Sequence, residues 1–563
     1  MAARRPAAQP VLAALALAAA LLGGCAAAPP AAPPTTAPAA TVPLRLLAIN
    51  DFHGHLLPPP GGYREVDPAD PARSRSIPAG GAAAMASAVR ELAAGHPNHV
   101  FVAAGDLVGA SPLLSALFHD EPTVESLSAM GLAYAAVGNH EFDDGADELL
   151  RLQRGGCHPV DGCRGPRPFA GAGFQYLAAS TVVRATGQTL LPPYAIRRFD
   201  GVPVAFVGLT LKGTPQIVSP AGVAGLAFRD EAETVNALVP ELQRQGVQAI
   251  VVLLHEGGEA DGGRDGCGDL RGAITRIVPR LHPAVDVVVS GHTHRAYVCR
   301  VDGRLVTSGD RYGTLVTAID LELDRASGEV LRSQAHNVVV DTRRFAPDAG
   351  QTALIAAYER LAAPLAKRVV GSIAASLTRE SDDSGESVLG RVVADAQLAA
   401  TRAAGAQLAL TNPGGLRSPI LKPADGRVRY EDVFEAQPFG NRLVTMTISG
   451  AQLAALLEQQ FQGERPRVLQ ASRGLRYEWD ATRPPGARLL PGSLTLDGQP
   501  VTPDQPVRLT VNSYLAEGGD RFPMLRDGRE RVVGIGDADA LADYLGRHPG
   551  LQPPQNARAV RRR

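Results

Sequence analysis

Polar side chains able to bind a metal follow five apolar runs in the first half of the chain. The runs span 44–49, 100–104, 132–137, 250–254 and 285–289. Their length suits buried strands, and the helical patterns between them are typical of a largely parallel α/β sheet covered by helices. Such sheets present their chemistry at the carboxyl ends of the strands. The polar residues at these ends are Asp51, His53, Asp106, Asn139, His140, Asp143, His255, His292 and His294.

A spacing of two residues recurs in Asp51/His53 and in His292/His294. In an extended chain, residues two apart lie on one face, so each pair can converge on one point. Carboxylate, imidazole and amide ligands together suit zinc or manganese rather than calcium. The ligand candidates are too many for one ion, but they suit two divalent ions that share a carboxylate. These candidates are Asp51, His53, Asp106, Asn139, His255, His292 and His294.

Asp106 is the natural bridge between two ions, because Gly105 before it allows the backbone to approach closely. Paired ions lower the pKa of bound water, so the pattern predicts in-line attack on a phosphoryl group by metal-bound hydroxide. His140 lies beside Asn139, and Asp143 could orient its imidazole for acid–base chemistry. Taken alone, this stretch would equally suit a turn with a helix-capping aspartate.

The length of 563 residues fits two domains preceded by a leader. We predict a first domain at 43–345, a connecting helix at 346–368 and a second, α+β domain at 369–555. The helix could also be the last helix of the first domain. Residues 58–78 are predicted to form a loop, and 556–563 a disordered basic tail. The net charge of −1 gives no field that would attract a nucleic acid polymer.

Residues 1–25 are predicted to be a secretory leader. Arg4 and Arg5 precede a short apolar stretch, and the sequence ending at Cys25 resembles a bacterial lipobox. That resemblance implies lipid attachment to Cys25, a flexible tether at 26–42, and an exported periplasmic or cell-surface protein held to a membrane. The alternative is an ordinary leader that is cut after the alanine run.

Four cysteines remain after the leader, and an even number in an exported chain favours disulfides. Three pairings are possible, of which we favour Cys157–Cys163 together with Cys267–Cys299. A zinc site is the alternative, although no pair has Cys-x-x-Cys spacing. The remaining histidines have no comparable setting and are predicted to be surface or structural residues; they are His55, His96, His99, His119, His158, His282, His336 and His548.

Five motifs in this order resemble the calcineurin-like metallophosphoesterase domain. Over residues 43–545, the chain resembles the bacterial exported 5′-nucleotidase / UDP-sugar hydrolase family. The resemblance implies an α/β fold: a four-layer α/β/β/α domain joined by a helix to a smaller α+β substrate-binding domain. It also implies that Glu141 and Glu256 are not ligands. One ion would be held by Asp51, His53, Asp106 and His294, and the other by Asp106, Asn139, His255 and His292. His140 and Asp143 would form the catalytic dyad.

The second domain supplies the substrate contacts in this family. Phe439 and Tyr514 match two aromatic residues that stack on either side of the base, and stacking accepts any nucleobase. Arg379 matches one member of an arginine pair, whereas the other position is Leu377 here. The residues carried over as substrate-binding are Arg379, Arg417, Phe439, Asn441, Tyr514 and Asp520.

The expected activity is hydrolysis of nucleoside 5′-monophosphates, and also of nucleotide sugars, by a monomer whose domains move about a hinge near 348–368. One alternative is a 2′,3′-cyclic nucleotide phosphodiesterase/3′-nucleotidase of the same architecture. A more distant alternative is a nucleotide-binding module without catalysis.

Overall fold

The computed structural model describes residues 40–67, 70–462 and 466–562. The predicted leader, the lipidation site at Cys25 and most of the predicted tether lie outside these residues. Within the described ranges, no helix is both long and apolar enough to cross a membrane.

The first domain alternates strands and helices along the chain. Its strands are β1 Thr41–Ile49, β2 Tyr63–Asp67, β3 Asp70–Ile77, β4 His99–Ala103, β5 Leu132–Ala136, β6 Gln175–Leu177, β7 Thr181–Val183, β8 Tyr194–Phe199, β9 Val202–Thr210, β10 Leu226–Phe228, β11 Ala249–His255, β12 Gly258–Asp261, β13 Gly268–Gly272, β14 Val287–Ser290, β15 Ala296–Val301, β16 Arg304–Gly309, β17 Leu315–Asp324 and β18 Val330–Val339. Its helices are α1 Ala82–Ala93, α2 Leu113–Ala116, α3 Glu121–Ala129, α4 Ala146–Arg154, α5 Glu231–Arg244, α6 Ile274–Ile277 and α7 Ala349–Ala366.

Two six-stranded sheets form the centre of this domain. Their strand orders are β18-β17-β1-β4-β5-β6 and β15-β16-β14-β11-β9-β8. The central strands β1, β4 and β5 of the first sheet, and β9, β11 and β14 of the second, run parallel. Antiparallel strands, among them β17, β18, β8 and β15, flank them. The prediction of one largely parallel sheet therefore holds only for the middle of each sheet.

The two sheets pack face to face, with helices on both outer sides. In β1, Leu47 and Ile49 belong to the core under α1 and α3, whereas Leu44 and Leu46 belong to the core between the sheets. This alternation follows from the opposite directions of successive side chains in a strand. A third core joins the second sheet to α5. The predicted four-layer α/β/β/α architecture is therefore confirmed.

A β-hairpin of β2 and β3 occupies most of the segment predicted to be a loop. Tyr63 and Ile77 pair across it and are buried. Its outer face is polar, with Arg64 bound to Ser74 across the strands. Such cross-strand polar pairs stabilise a hairpin without apolar periodicity, which explains why the sequence prediction was wrong here.

The second domain is smaller and mixes helices with two antiparallel-rich sheets, ordered β23-β20-β27-β22-β28 and β26-β25-β24-β29. Its strands are β19 Val369–Ser372, β20 Leu408–Thr411, β21 Arg427–Arg429, β22 Arg442–Ser449, β23 Gln470–Ala471, β24 Leu475–Asp480, β25 Thr495–Leu496, β26 Gln499–Pro500, β27 Pro506–Asn512, β28 Arg529–Gly536 and β29 Ala559–Arg562. Its helices are α8 Val388–Thr401, α9 Tyr430–Ala436, α10 Gly450–Gln459, α11 Ser513–Ala516 and α12 Asp537–Arg547.

Helix α7 links the two domains. Asp348 caps its first turn by accepting the backbone N–H of Gln351 at 2.9 Å. The Gln351 side chain accepts the Ser126 hydroxyl at 2.7 Å, which fixes the helix to the first domain. Beyond its end, the Arg368 carbonyl accepts the N–H of Tyr430 in the second domain. Thus α7 packs on the first domain and leads directly into the second.

Both favoured cysteine pairings are present as disulfides, Cys157–Cys163 and Cys267–Cys299. The second joins the start of β13 to β15, so it connects the segments after two of the strands that end in predicted ligands. The alternative of a cysteine zinc site is thereby excluded for these four residues.

Strand β29 occupies half of the predicted disordered tail. It pairs in parallel with β24, and Ala559 is buried. The buried carboxylate of Glu386 accepts the backbone N–H groups of Arg558 and Ala559 at 2.6 and 3.1 Å. The Arg558 guanidinium also donates to Asp395 at 2.7 Å. The tail prediction was wrong because these arginines bind partners from distant parts of the second domain.

We expect Arg558→Ala to lower the free energy of unfolding by about 3–5 kcal/mol, because it leaves the carboxylate of Asp395 buried without its partner. Arg562→Ala is the matched control, since the Arg562 pair with Glu478 is exposed and contributes at most about 1 kcal/mol. Chemical denaturation of both variants measures the difference. Equal losses would contradict this account of β29.

Candidate metal centre

The predicted ligands meet where the carboxyl ends of both sheets face each other. Asp51 follows β1, Asp106 follows β4 and Asn139 follows β5 of the first sheet. His255 ends β11, and His292 and His294 follow β14 of the second sheet. The side chains of Asp51, Asp106, Asn139 and His255 are almost completely buried. The two-sheet core therefore determines where this cluster lies.

The backbone at these ligands is unusual. Five of the seven have a positive φ, in the left-handed region: Asp51 (51°), His53 (46°), Asp106 (50°), His292 (70°) and His294 (55°). Residues other than glycine rarely adopt this region, and each such residue costs on the order of 1–3 kcal/mol. The two closely spaced pairs therefore converge through sharp turns, and the expectation of an extended chain at these positions was wrong.

One half of the cluster contains Asp51, His53 and His294. The Asp51 Oδ1 atom lies 3.2 Å from His294 Nε2, and His53 Nε2 lies 3.2 Å from the same nitrogen. The ligand atoms of all three side chains fall within 4.8 Å of one another. Asp51 is fixed by the backbone N–H of His292, which donates to both carboxylate oxygens.

The other half contains Asp106, His255 and His292, whose ligand atoms also lie within 4.8 Å of one another. The Asp106 Oδ2 atom is 3.0 Å from His255 Nε2 and 3.6 Å from His53 Nε2. One carboxylate oxygen thus faces an imidazole from each half. This is the position that a bridging ligand requires.

The chemistry of these groups fits two divalent cations. In the described part of the chain, Asn139 Oδ1 and His255 Nε2 are buried atoms without a hydrogen-bond partner. The second ring nitrogens are held by carbonyls, with His53 Nδ1 2.8 Å from Gly109 O and His255 Nδ1 2.6 Å from Ala104 O. Such bonds direct the opposite nitrogen toward a metal. An unpartnered amide oxygen among carboxylates and imidazoles is otherwise costly to bury.

The electrostatics of the cluster favour anionic carboxylates. Burial alone would raise the pKa of Asp106, but the nearby His255 and His140 outweigh it and hold that pKa well below its usual range. Burial lowers the pKa of His140, whereas Asp143 and Asp106 raise it more strongly, so the net shift is upward. His140 is thereby favoured as a proton donor.

His140 and Asp143 form the expected pair. The His140 Nδ1 atom lies 2.7 Å from Asp143 Oδ2, and the His140 backbone N–H donates to Asp106 Oδ1 at 2.9 Å. Both residues border the 3₁₀ turn His140–Phe142 after β5. The same turn therefore aligns the imidazole with its carboxylate and with the central Asp106.

Glu141 has a positioning role that the sequence did not reveal. Its carboxylate accepts the backbone N–H groups of Asp106 at 3.0 Å, Leu107 at 2.7 Å and Gly138 at 2.6 Å. Burial and the neighbouring Asp106 carboxylate raise its pKa to about 8. Glu141 therefore joins the two loops that present Asp106 and Asn139. It is more than 30 residues away from the first loop in sequence, so no local motif indicates this contact.

A cavity of about 390 Å³ joins the cluster to the second domain. The His140 and Phe439 rings lie 5.8 Å apart and nearly parallel across it. The Tyr514 hydroxyl lies 3.1 Å from Asp520 Oδ1, and Asn441 Oδ1 accepts the Tyr514 N–H at 3.2 Å. Arg467 and Asn412, which were not predicted, bind the two oxygens of Asp520 and also line the cavity.

Four arginines line a smaller cavity of about 240 Å³ over the cluster. Arg295 pairs with Glu259 at 3.4 Å, and the other three are Arg311, Arg379 and Arg417. Arg417 lies 3.4 Å from His53 Nε2, and Arg311 lies 3.4 Å from His294 Nδ1. Leu377, at the position of the expected second arginine, is instead buried in the core of the second domain. Arg311 belongs to the first domain, so a guanidinium from outside the predicted substrate-binding domain reaches this cavity.

Comparison with known proteins agrees with this architecture. Residues 44–296 match the model of calcineurin-like phosphoesterases, and residues 369–527 match that of the 5′-nucleotidase C-terminal domain. A 5′-nucleotidase precursor from Thermus thermophilus has a similar structure, with a TM-score of 0.74 and 27% identity over 92% of this chain and 99% of that one. The chain belongs to the family of calcineurin-like phosphoesterases that carry a 5′-nucleotidase C-terminal domain. Members of this class use divalent metals.

Two curated relatives are longer than this chain. It is 32% identical over 510 residues to Endonuclease YhcR of Bacillus subtilis, which covers 90% of this chain but 40% of the relative. It is 30% identical over 547 residues to Cell wall protein Lmo0130 of Listeria monocytogenes, covering 90% of this chain and 67% of the relative. The chain thus spans less than half of the first relative and about two thirds of the second.

We expect Glu141→Gln to weaken the centre without removing a ligand. Both side-chain oxygens of Glu141 accept backbone N–H groups, whereas the NH2 group of glutamine cannot accept one. The loss should be about 1–3 kcal/mol in the unfolding free energy of the metal-free protein, together with weaker metal binding. Glu256→Gln is the control for stability, since among the described residues the Glu256 carboxylate accepts only the adjacent Gly257 N–H. Unchanged stability and metal affinity in Glu141→Gln would refute the positioning role.

Proposed function

We propose that this protein hydrolyses nucleoside 5′-monophosphates to nucleoside and phosphate. The observation that carries this proposal is the 390 Å³ cavity, because its lining combines Asn139, His140 and His292 with Phe439 and Tyr514. A phosphate ester would reach the metal centre while its base lies beside aromatic rings. The family assignment and the similar 5′-nucleotidase precursor support the same conclusion.

Two divalent ions, zinc or manganese, fit the ligand set. One would be held by Asp51, His53, Asp106 and His294, and the other by Asp106, Asn139, His255 and His292. When bound, such ions activate water and polarise phosphoryl oxygens. All seven side chains lie at the ends of strands or in adjoining loops of one rigid core, which suits a site that must keep its geometry during turnover.

The other groups act on the substrate, Asp143 through His140 and the rest directly. The Asp143 carboxylate accepts the Nδ1–H of His140, which leaves Nε2 free to stabilise charge on the phosphoryl group or leaving oxygen. Arg379 and Arg417 would bind phosphate oxygens, and Arg311 would supply the cation that Leu377 does not. Asn441 and Asp520 would contact the base and ribose, and Tyr514 and Phe439 would stack on the base.

A phosphodiesterase is the second candidate. A cleft of about 1,080 Å³ opens beside His294, Arg311, Arg379 and Arg417 and extends along the first domain. It provides room for a second substituent on phosphorus. The relative from Bacillus subtilis is named an endonuclease, and the 2′,3′-cyclic nucleotides considered above are also diesters. Product analysis with monoester and diester substrates separates the two candidates.

The decisive measurement is phosphate release from AMP by the purified protein, before chelation, after it, and after zinc or manganese is restored. We expect chelation to abolish activity and added metal to restore it. His140→Ala should reduce kcat by about 100–1,000-fold, the usual effect of removing a group that stabilises transition-state charge. His336→Ala, on the exposed strand β18, is the matched control. If every phosphoester remains inert with metal bound, the chain is a binding module.

Arg311→Ala tests how the phosphate is held. We expect KM for AMP to rise about tenfold, which corresponds to about 1.4 kcal/mol, because one of three converging cations is lost. Arg300→Ala is the control, since Arg300 of β15 is exposed and, among the described residues, donates only to the Gly303 carbonyl and to Ser333. An unchanged KM would exclude Arg311 from the substrate site.

A further inference from the structure

The carboxylate of Asp520 is held by three side-chain donors in the cavity between the domains. Its Oδ1 atom accepts a hydrogen bond from the Arg467 guanidinium at 2.7 Å and another from the Tyr514 hydroxyl at 3.1 Å. Its Oδ2 atom accepts the side-chain amide of Asn412 at 2.7 Å. All four residues line the cavity of about 390 Å³. The group that the proposed function places beside the base and ribose is therefore already partly occupied.

The direction of the Tyr514 hydroxyl is fixed. The backbone N–H of Asp520 donates to the phenol oxygen at 2.9 Å, so that oxygen serves as an acceptor while its own proton points to Asp520 Oδ1. Burial, followed by the Asp520 carboxylate, raises the pKa of Tyr514, which keeps the phenol protonated. The Tyr514 hydroxyl is therefore a constant donor to Oδ1.

The surrounding structure keeps the Asp520 carboxylate in one orientation. A Cβ atom at Gly519 would lie 2.4 Å from the Tyr514 ring, so the loop that carries Asp520 packs directly against this ring. On the other side, the buried Asn512 amide donates to Asn412 Oδ1 at 3.0 Å. That bond directs the Asn412 nitrogen to Asp520 Oδ2. The three donors are thus in position before a substrate enters.

The number of free acceptor positions limits what Asp520 can bind. An ionised carboxylate offers about four acceptor positions, about two on each oxygen. Arg467 and Tyr514 occupy those on Oδ1, and Asn412 occupies one on Oδ2. The 2′- and 3′-hydroxyls of a ribose require two free positions if both are to donate to the carboxylate. Only one sugar hydroxyl can therefore donate to Asp520.

We propose that the Tyr514 hydroxyl determines the sugar specificity of this site, because it occupies the acceptor position on Asp520 that a 2′-hydroxyl would use. The inference rests on the proposed nucleotidase function. The 3′-hydroxyl, which ribose and 2′-deoxyribose share, takes the remaining position on Oδ2. The site then accepts 2′-deoxynucleoside 5′-monophosphates nearly as well as the corresponding ribonucleotides. In this role Tyr514 and Arg467 act through Asp520 and are positioning residues.

The test compares kcat/KM for AMP and dAMP in the unmodified protein and in two variants. We expect the two values to agree within about threefold in the unmodified protein, because loss of the 2′-hydroxyl removes no hydrogen bond to Asp520. Tyr514→Phe keeps the aromatic ring but frees a position on Oδ1. The ratio should then rise about tenfold in favour of AMP, the usual effect of one hydrogen bond to a charged group. Arg467→Ala frees a position on the same oxygen and should shift the ratio in the same direction.

Tyr194→Phe is the matched control, since its phenol donates to Glu241 from strand β8 and lies outside the cavity. It should leave the ratio unchanged, and circular dichroism confirms that each variant is folded. A preference for AMP above about tenfold in the unmodified protein, or an unchanged ratio in Tyr514→Phe, would overturn the proposal. A ratio that falls in Arg467→Ala would also overturn it, because the guanidinium would then bind the 2′-hydroxyl itself.

Binding of adenosine and 2′-deoxyadenosine, measured by isothermal titration calorimetry, separates this inference from the proposed function. The ratio of the two Kd values should change in the same variants and in the same direction, whether or not a phosphate ester is hydrolysed. If AMP and dAMP are both inert, the proposed function fails, and the Kd ratios still decide the role of Tyr514. If AMP is hydrolysed but neither ratio responds to Tyr514→Phe, only the specificity role is wrong.

Discussion

The buried carboxylate of Asp106 is the interaction on which the rest of the site depends. It lies at the end of β4, where the two sheets face each other, and one oxygen is close to His255 from the second sheet and His53 from the first. A buried anion is costly without cations or N–H donors around it. Its other oxygen accepts the His140 N–H. The dyad, both halves of the ligand set and both sheets are therefore arranged around a single charge.

This arrangement requires the backbone at Gly105 and Gly138 to lie very close to Asp106 and His255. A Cβ atom at Gly138 would collide with Asp106 Oδ1, and one at Gly105 would lie 2.7 Å from both Gly138 N and His255 Nδ1. The left-handed backbone conformation of five ligand residues adds strain to the same loops. The apolar cores between and outside the sheets hold these loops in place, so a stable four-layer scaffold is what allows strained residues at its edge.

The sequence was most informative where a short sequence pattern contains the residues that meet in the folded site. Apolar runs ending in aspartate, asparagine or histidine predicted the strands and the side chains that meet. It was least informative where a role arises from distant contacts. Glu141 binds N–H groups 34 and 35 residues away, Arg311 enters from the other domain, and the polar strands β3 and β29 have no apolar period.

The four arginines that line the cavity over the ligand cluster are divided between the domains, with Arg295 and Arg311 on the first and Arg379 and Arg417 on the second. Burial, Arg417 and Arg311 lower the pKa of Arg379, so these three cations repel one another. An anion placed among them removes that repulsion. By thermodynamic linkage, the anion stabilises the contact between the domains by the same free energy by which that contact increases the affinity for the anion. Under the proposed function, a contact that holds the domains together raises the affinity for phosphate, and bound product phosphate in turn opposes their separation.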